Sequence, residues 1–375
     1  MSEREAVGVV IDADGHVEED LAWIVDHVDP SLRDLAPRFE RDAEGHVVNL
    51  IEGKPWQPRF KLPRGSKTHV AAGGVERTGG RDPVERLRVL DQEGIDIAVL
   101  FPSLGLMYGL YEDPKPAAAL CAANNDWLAQ FCATDPDRLV GVALLPQQDP
   151  ALAVSELERC IEHGFVGGVI RPNRIGGRTV DDPAFEPLWA AAAALDVPIV
   201  LHEAYFGGID TVGEDRQRTY AGAHVVSHPF EQMSAMLALC LAGVLERHPG
   251  LRLGFFEAGC GWAPYWVERI EEHHELAPND FAGGDPRGTL HSRTWLTFEV
   301  DERTLPAVLD LGWRDNVCFA SDYPHYDAPF PGAVDAVRAR DLDASSVQKL
   351  LGANALAFYG ERLRQRAKSV RSLTN

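Results

Sequence analysis

The sequence predicts an α/β fold, a single (β/α)8 TIM barrel with a long insertion after its first strand. Three observations predict it. Strand-like and helix-like runs alternate along nearly the whole chain, giving eight strand candidates, each mostly followed by a helix. The strands are apolar without strict alternation, as strands covered on both faces are. Groups able to bind a metal or move a proton collect at the ends of strands one, five, six and eight, where such barrels build their sites. A doubly wound open sheet would need a glycine-rich phosphate-binding turn after the first strand, and Asp14-Gly15-His16 is not one.

The first strand is the apolar run Gly8-Val9-Val10-Ile11-Asp12-Ala13-Asp14-Gly15-His16. Alternate residues of an extended chain share a face, so Asp12, Asp14 and His16 are expected to point the same way. Residues 17–81 follow, rich in Pro, Gly and charge, with Trp56 and Phe60 embedded. A connection this long is uncommon unless it does something. It is expected to fold over the active site as part of one domain spanning 1–375. Asp82-Pro83 opens a helix over 83–93, which Gly94 closes. The second strand covers 95–102, a helix 114–134, and the third strand 139–145. An amphipathic helix over 151–163 stops at Gly164. Strand four (166–171), a helix (182–195), strand five (198–202) and a helix (231–247) come next. Strand six (251–256), a helix (265–275), strand seven (295–300), a short helix (302–311) and strand eight (317–321) complete the ring. Helices over 332–340 and 344–365 close the chain, and the basic tail from 364 is expected to fray.

Composition narrows the partners. Hydrophobic residues at 45% and charged residues at 25% of 375 are those of a soluble globular protein. No apolar run approaches the roughly 18 residues that span a bilayer. The start, Met1-Ser2-Glu3-Arg4-Glu5, lacks the apolar core of a signal peptide, so a cytoplasmic location is the default expectation. A formal charge of −21 argues against nucleic acid and anionic membrane. It leaves room for an anionic small molecule, because a metal or a local cation dominates the field inside a pocket. The six cysteines are scattered without a C-x-x-C pair and read as buried thiols. Cys260, in a Gly-rich turn, is the one candidate for lining a pocket.

The strand ends carry the chemistry. Strand one delivers Asp14 and His16, strand four Arg171, strand five His202, strand six Glu257, and strand eight Asp322 with His325 close behind. Each has a plain reading alone. A D-x-H pair is common, a lone histidine in an apolar strand is often a core residue, and Asp322 can cap a turn. Together Asp14, His16, His202 and Asp322 form a two-nitrogen, two-oxygen set suited to one divalent ion, Zn²⁺ first and the harder Mn²⁺ next. Asp12 is left as a supporting carboxylate beneath the metal.

Four segments in fixed order over 8–360 carry a resemblance. They are Ile11-Asp12-Ala13-Asp14-Gly15-His16, then Pro198-Ile199-Val200-Leu201-His202, then Arg247-His248-Pro249-Gly250-Leu251-Arg252 running into Gly259-Cys260-Gly261-Trp262, and Ala320-Ser321-Asp322-Tyr323-Pro324-His325. They resemble the amidohydrolase superfamily, in the branch related to aminocarboxymuconate-semialdehyde decarboxylase. The resemblance implies non-oxidative decarboxylation and a homodimer. The chain departs from the pattern in three places. The family's first motif is usually H-x-H, and Asp14 takes its first position, as in some acidic relatives. The sixth strand usually ends in an acid/base histidine before paired glycines, and Glu257 stands there instead. A glutamate raised by burial can still move protons; His228, in the long loop after strand five, and His325 are the alternative carriers. Binuclear relatives carry a carbamylated lysine at the end of strand four, so Arg171-Pro172-Asn173 implies one metal. Arg171 then either grips a substrate carboxylate or is a structural ion-pair partner. His46, His69, His273 and His274 read as solvated surface.

The leading expectation is therefore a metal-dependent decarboxylase of a small aromatic or unsaturated carboxylic acid. Glu257 or His228 protonates the carbon that loses CO2, and Asp322 is both ligand and proton partner. The second expectation is hydrolysis of an amide, lactone or C–C bond with Asp322 or Glu257 as base. The third is a non-catalytic metal-binding scaffold, whose site would be closed to exchangeable water.

Overall fold

The apolar strand candidates pair side by side, in parallel, in the computed structural model, which describes residues 8–41, 47–57, 59–60, 77–205, 208–325 and 328–374. The strands are β1 (Ile11–Val17), β2 (Arg38–Arg41), β3 (Val47–Ile51), β4 (Lys54–Trp56), β5 (Ile97–Pro102), β6 (Leu139–Gly141), β7 (Ala143–Leu144), β8 (Gly168–Ile170), β9 (Ile199–His202), β10 (Leu253–Phe256), β11 (Thr294–Phe298) and β12 (Val317–Phe319). β1 is buried along its length and pairs with β5, which pairs with β6. β7 to β12 pair in sequence order. β6 and β7 are the expected strand 139–145, broken at Val142. Val142 N donates to Leu100 O on one side, and Ala143 N donates to Gly167 O on the other. One stave thus passes its pairing from β5 to β8. The ring closes just past β12, where Asp322 N donates to Asp14 O (3.2 Å) and His16 N donates to Tyr323 O (2.8 Å). The fold is the eight-stave (β/α)8 barrel.

Helix starts explain themselves locally. Pro83–Glu93, Pro114–Cys132 and Pro150–Glu162 each begin with Pro behind an Asp whose carboxylate accepts from first-turn N–H groups. Gly94 ends the first of them at φ 70°. In Pro150–Glu162, Ala153, Leu157, Cys160 and Ile161 form the buried stripe.

Four expectations are corrected. The helix expected over 231–247 is Tyr220–Leu241 followed by a short Val244–Arg247, so His228 sits on a helix and not in a loop. Pro229, inside this helix, removes one donor only. The buried face from Ala223 through Ser227, Gln232 and Met236 to Leu239 holds the helix around it. The helix expected over 302–311 starts later, at Leu305, and past Val308 it widens into a π-helical turn, Leu309–Trp313, that bends at Gly312 (φ 100°). The tail is not frayed: Glu361–Thr374 is helical and buries Leu363, Ala367 and Val370 at i, i+4 and i+7. The insertion is not wholly irregular, because β2, β3 and β4 form an antiparallel sheet. Glu52 and Gly53, both at positive φ (54° and 71°), make the β3–β4 turn. His46, His69 and most of the segment between β4 and Arg77 lie outside the described residues. On either side of that segment, Arg59 donates to Glu214 O and Asp215 O, and Arg77 donates to His325 O and Ala328 O. All six cysteines are buried free thiols. Among the described residues no helix is long and apolar enough to cross a membrane.

Candidate metal centre

Two buried histidines define the centre. His16 Nδ1 faces Pro102 O (3.2 Å) and His202 Nδ1 faces Glu203 O (2.7 Å). A neutral ring that donates through Nδ1 keeps its lone pair on Nε2. Both Nε2 atoms turn toward Asp14 Oδ1, at 3.6 Å and 3.4 Å. These three atoms are buried without a hydrogen-bond partner. Polar atoms left that way are costly, and a cation is the group that would satisfy two lone pairs and a carboxylate together. Glu257 Oε2 lies 3.8 Å from His202 Nε2, and Asp322 Oδ1 lies 3.7 Å from His16 Nε2.

The ligand atoms of Asp14, His16, His202 and Glu257 all fall within 4.8 Å of one another, and so do those of His16, Asp322 and His325. His16 belongs to both sets. Its Nδ1 faces a carbonyl, so a single nitrogen serves both, and the two sets describe one centre. The four residues expected as ligands all border it, and Glu257 borders it beside Asp322.

The surrounding chain fixes these positions. Asp12 is fully buried and accepts from Ser321 N (2.9 Å) and Ser321 Oγ (2.6 Å), tying β1 to the chain after β12. Arg86, also fully buried, donates to His16 O (2.7 Å) and stands 3.8 Å from Asp12 Oδ2. A Cβ at Gly15 would lie 2.5 Å from both Arg86 and Asp12, so only glycine fits between them. Gln232 donates to Leu201 O (2.8 Å) and Phe256 O (2.7 Å), holding β9 and β10 one residue short of His202 and Glu257. Glu257 and Asp322 both adopt left-handed backbone, at φ 64° and 54°. Such residues cost about 1–3 kcal/mol each and persist where the surroundings over-determine them. The Phe101 ring packs 6.0 Å from that of His16 and 5.5 Å from that of His202.

Burial, with His325 and His202 nearby, holds His16 well below its ordinary value, so its ring is neutral and ready to coordinate. Burial also opposes charge on His202, but the neighbouring Asp14 carboxylate outweighs it and raises the ring. Burial and then the neighbouring Asp322 push Glu257 well above the usual carboxylate range. Both effects favour the protonated form of Glu257.

The remaining candidates surround the centre. His325 Nδ1 is 2.6 Å from Asp322 Oδ1, its Nε2 is 3.0 Å from Ser103 Oγ, and its ring stacks on His16 with centroids 4.0 Å apart. His228 Nδ1 meets Ser227 Oγ at 2.8 Å, and its Nε2 is 3.7 Å from Glu203 Oε2. Burial brings His228 down to about 4. Arg171 is 3% exposed and donates to Glu203 Oε1 (2.9 Å), Asn173 Oδ1 (3.0 Å) and Ala204 O (2.7 Å), the contacts of an ion-pair partner. Glu203 has no role in the reading of the sequence. It is fully buried, held by Arg171 and Asn173, and net lowered: burial raises it, while Arg171 and His228 pull it down further. Its adjacency to His202 was visible, but its pairing with an arginine in another stave was not. Cys260 does not line an open site; it is buried, with its thiol donating to Glu302. His273 is exposed on the helix Ala263–Leu276.

Comparison with known proteins bears on the family and the fold. A family described as amidohydrolase matches residues 11–360. A 2-amino-3-carboxymuconate-6-semialdehyde decarboxylase of Dictyostelium discoideum is 28% identical over 284 residues, which are 74% of this chain and 77% of that protein. A gamma-resorcylate decarboxylase of Rhodococcus jostii (strain RHA1) is 30% identical over 294 residues, 71% of this chain and 87% of that protein. The crystal structure of a dihydroxybenzoic acid decarboxylase from Polaromonas sp. JS666, with bound manganese and the inhibitor 2-nitroresorcinol, superposes with a TM-score of 0.67 at 22% identity, over 94% of this chain and 97% of that one.

Proposed function

The chain belongs to the amidohydrolase family, in the branch related to aminocarboxymuconate-semialdehyde decarboxylase, and from that membership we propose a metal-dependent, non-oxidative decarboxylase of a small aromatic or unsaturated carboxylic acid. The observation that carries the reading is the buried group of Asp14 Oδ1, His16 Nε2 and His202 Nε2, which lack hydrogen-bond partners, with the Glu257 carboxyl group 3.8 Å from His202 Nε2.

Asp14, His16, His202 and Asp322 are the proposed ligands. A divalent ion bound there supplies Lewis acidity, holding and polarising the oxygens of the acid. The chain does the rest. The carbonyls of Pro102 and Glu203 fix both histidine tautomers before anything binds. Glu257 gives its proton to the substrate carbon that bears the carboxylate. The C–C bond to the carboxylate then breaks, CO2 leaves, and the electron pair restores the unsaturated system. The Glu257 carboxylate regains a proton from solvent. Asp322, braced by His325, keeps the neighbouring negative charge that favours a protonated Glu257. His228, backed by Glu203, is the second proton carrier of the proposal. Arg171 acts through Glu203, orienting it from behind.

Zn²⁺ is the favoured ion, supported by the two imidazole nitrogens, and Mn²⁺ the second candidate, supported by the Polaromonas relative. The proposal extends to a cytoplasmic homodimer. It also places the insertion over the site, supported by the reach of Arg59 and Arg77 to the loops after staves five and eight. Hydrolysis would need Asp322 or Glu257 as base, and burial favours the acid form of Glu257, which leaves Asp322 as the base of that second reading. The test is incubation of metal-loaded protein with a panel of hydroxybenzoates and their esters. CO2 release from a free acid is expected. Release of acid from the esters without CO2 from any member would overturn the reading in favour of hydrolysis.

A further inference from the structure

We propose that Glu302 is a positioning residue that holds Glu257 toward the metal centre; the proposal rests on Glu257 being the proton donor. Glu302 stands just past β11, on a different stave from Glu257. Its Oε1 accepts from Gly261 N (2.7 Å), Cys260 N (3.2 Å) and Thr304 Oγ1 (2.7 Å). Its Oε2 accepts from Cys260 N (3.1 Å), Glu299 N (3.3 Å) and Cys260 Sγ (3.4 Å). Arg340 grips the loop from outside, donating to Val300 O (2.6 Å) and to Glu302 O.

The donors from Cys260 and Gly261 belong to the turn that Glu257 begins. That turn is built from awkward backbone. Glu257 and Gly259 both sit at positive φ, 64° and 63°. Glu257's own N–H has only a long bond, 3.3 Å, to Thr297 Oγ1. Gln232 holds the chain at Phe256 O, Trp262 Nε1 donates to Gly259 O (3.0 Å), and Glu302 fastens the far end of the turn. The fit there leaves no slack. A Cβ on Gly261 would lie 2.4 Å from Thr304 Oγ1 and 2.9 Å from Glu302 Oε1, and one on Gly259 would lie 3.1 Å from Glu302 Oε2. A carboxylate gathering several donors is a stronger clamp than neutral acceptors would be. With the clamp released, the left-handed Glu257 loses the constraint that opposes its relaxation, and its carboxyl group swings off line. Proton transfer is sensitive to displacements of that size.

The test is a double-mutant cycle on metal-loaded protein, using the acid that the hydroxybenzoate panel identifies. Glu257→Gln is expected to lower kcat by roughly 10²–10⁴-fold. Glu302→Ala is expected to lower kcat by roughly 10–100-fold, with KM and bound metal as in the unmodified protein. On the Glu257→Gln background, Glu302→Ala is expected to cause no further loss, because it acts through Glu257. Glu302→Gln, which keeps one acceptor oxygen, is expected to fall between, and it carries the same cycle if the alanine variant does not fold. An equal loss from Glu302→Ala on both backgrounds would mean a general structural role and overturn the proposal, as would full kcat in the single variant. If Glu257→Gln retains full turnover, or no acid is turned over, the reading of Glu257 fails first and Glu302 falls with it. A crippled Glu257→Gln beside an intact Glu302→Ala overturns Glu302 alone.

Discussion

His202 Nε2 lies 3.4 Å from Asp14 Oδ1, and neither atom has a hydrogen-bond partner. Two such atoms, from staves on different sides of the barrel, are poor partners for each other at that distance and good partners for an ion between them. Protein grown with added metal is expected to carry about one divalent ion per chain, and His202→Ala less than roughly a tenth of one. Elemental analysis of the purified proteins measures both. Full metal content in His202→Ala would place the ion on other residues.

Arg86 supports the centre without touching it. Removing its side chain leaves Asp12 buried without its cation and frees the carbonyl of His16. Arg86→Ala is expected to lower folding stability by about 3–5 kcal/mol, the usual result of breaking one side of a buried pair. Urea denaturation reads it. A loss below about 1 kcal/mol would mean that water replaces the guanidinium without difficulty.

Glu231 gives the protein a pH dependence separate from catalysis. Burial lifts this carboxyl to about 7, with the Val212 N–H pulling down and Glu203 pushing up. The folded state then holds the proton more tightly than the unfolded chain. Stability is accordingly expected to fall as pH rises from the ordinary value of 4.5 through about 7. The contribution is at most about 3 kcal/mol. Glu231→Gln keeps an acceptor for Val212 and cannot ionise, so it is expected to flatten this part of the profile. Denaturation midpoints at pH 5 and pH 8 compare the two proteins, and parallel profiles would remove Glu231 as the cause.

Much of this was legible in the chain itself, for particular reasons. Apolar strands bounded by Asp-Pro and Gly punctuation declare a parallel barrel, and period-2 spacing brought Asp14 and His16 to notice. What stayed hidden depends on contacts between distant staves. Glu203 gains its place from Arg171, thirty-two residues earlier, and Glu302 meets Cys260 across forty-two. His228 is expected in a loop, and burial of a helix face, which outweighs the one donor missing at Pro229, puts it on a helix. The C-terminal helix was missed because its three buried apolar residues are diluted by charge.

The two backbone bonds between Asp14 and Asp322 and between His16 and Tyr323 are the seam of the barrel, and they join residues that themselves border the centre. The first and last staves must therefore meet before the cage exists. Completion of the proposed ligand set, Asp322 included, thus requires the ring to close.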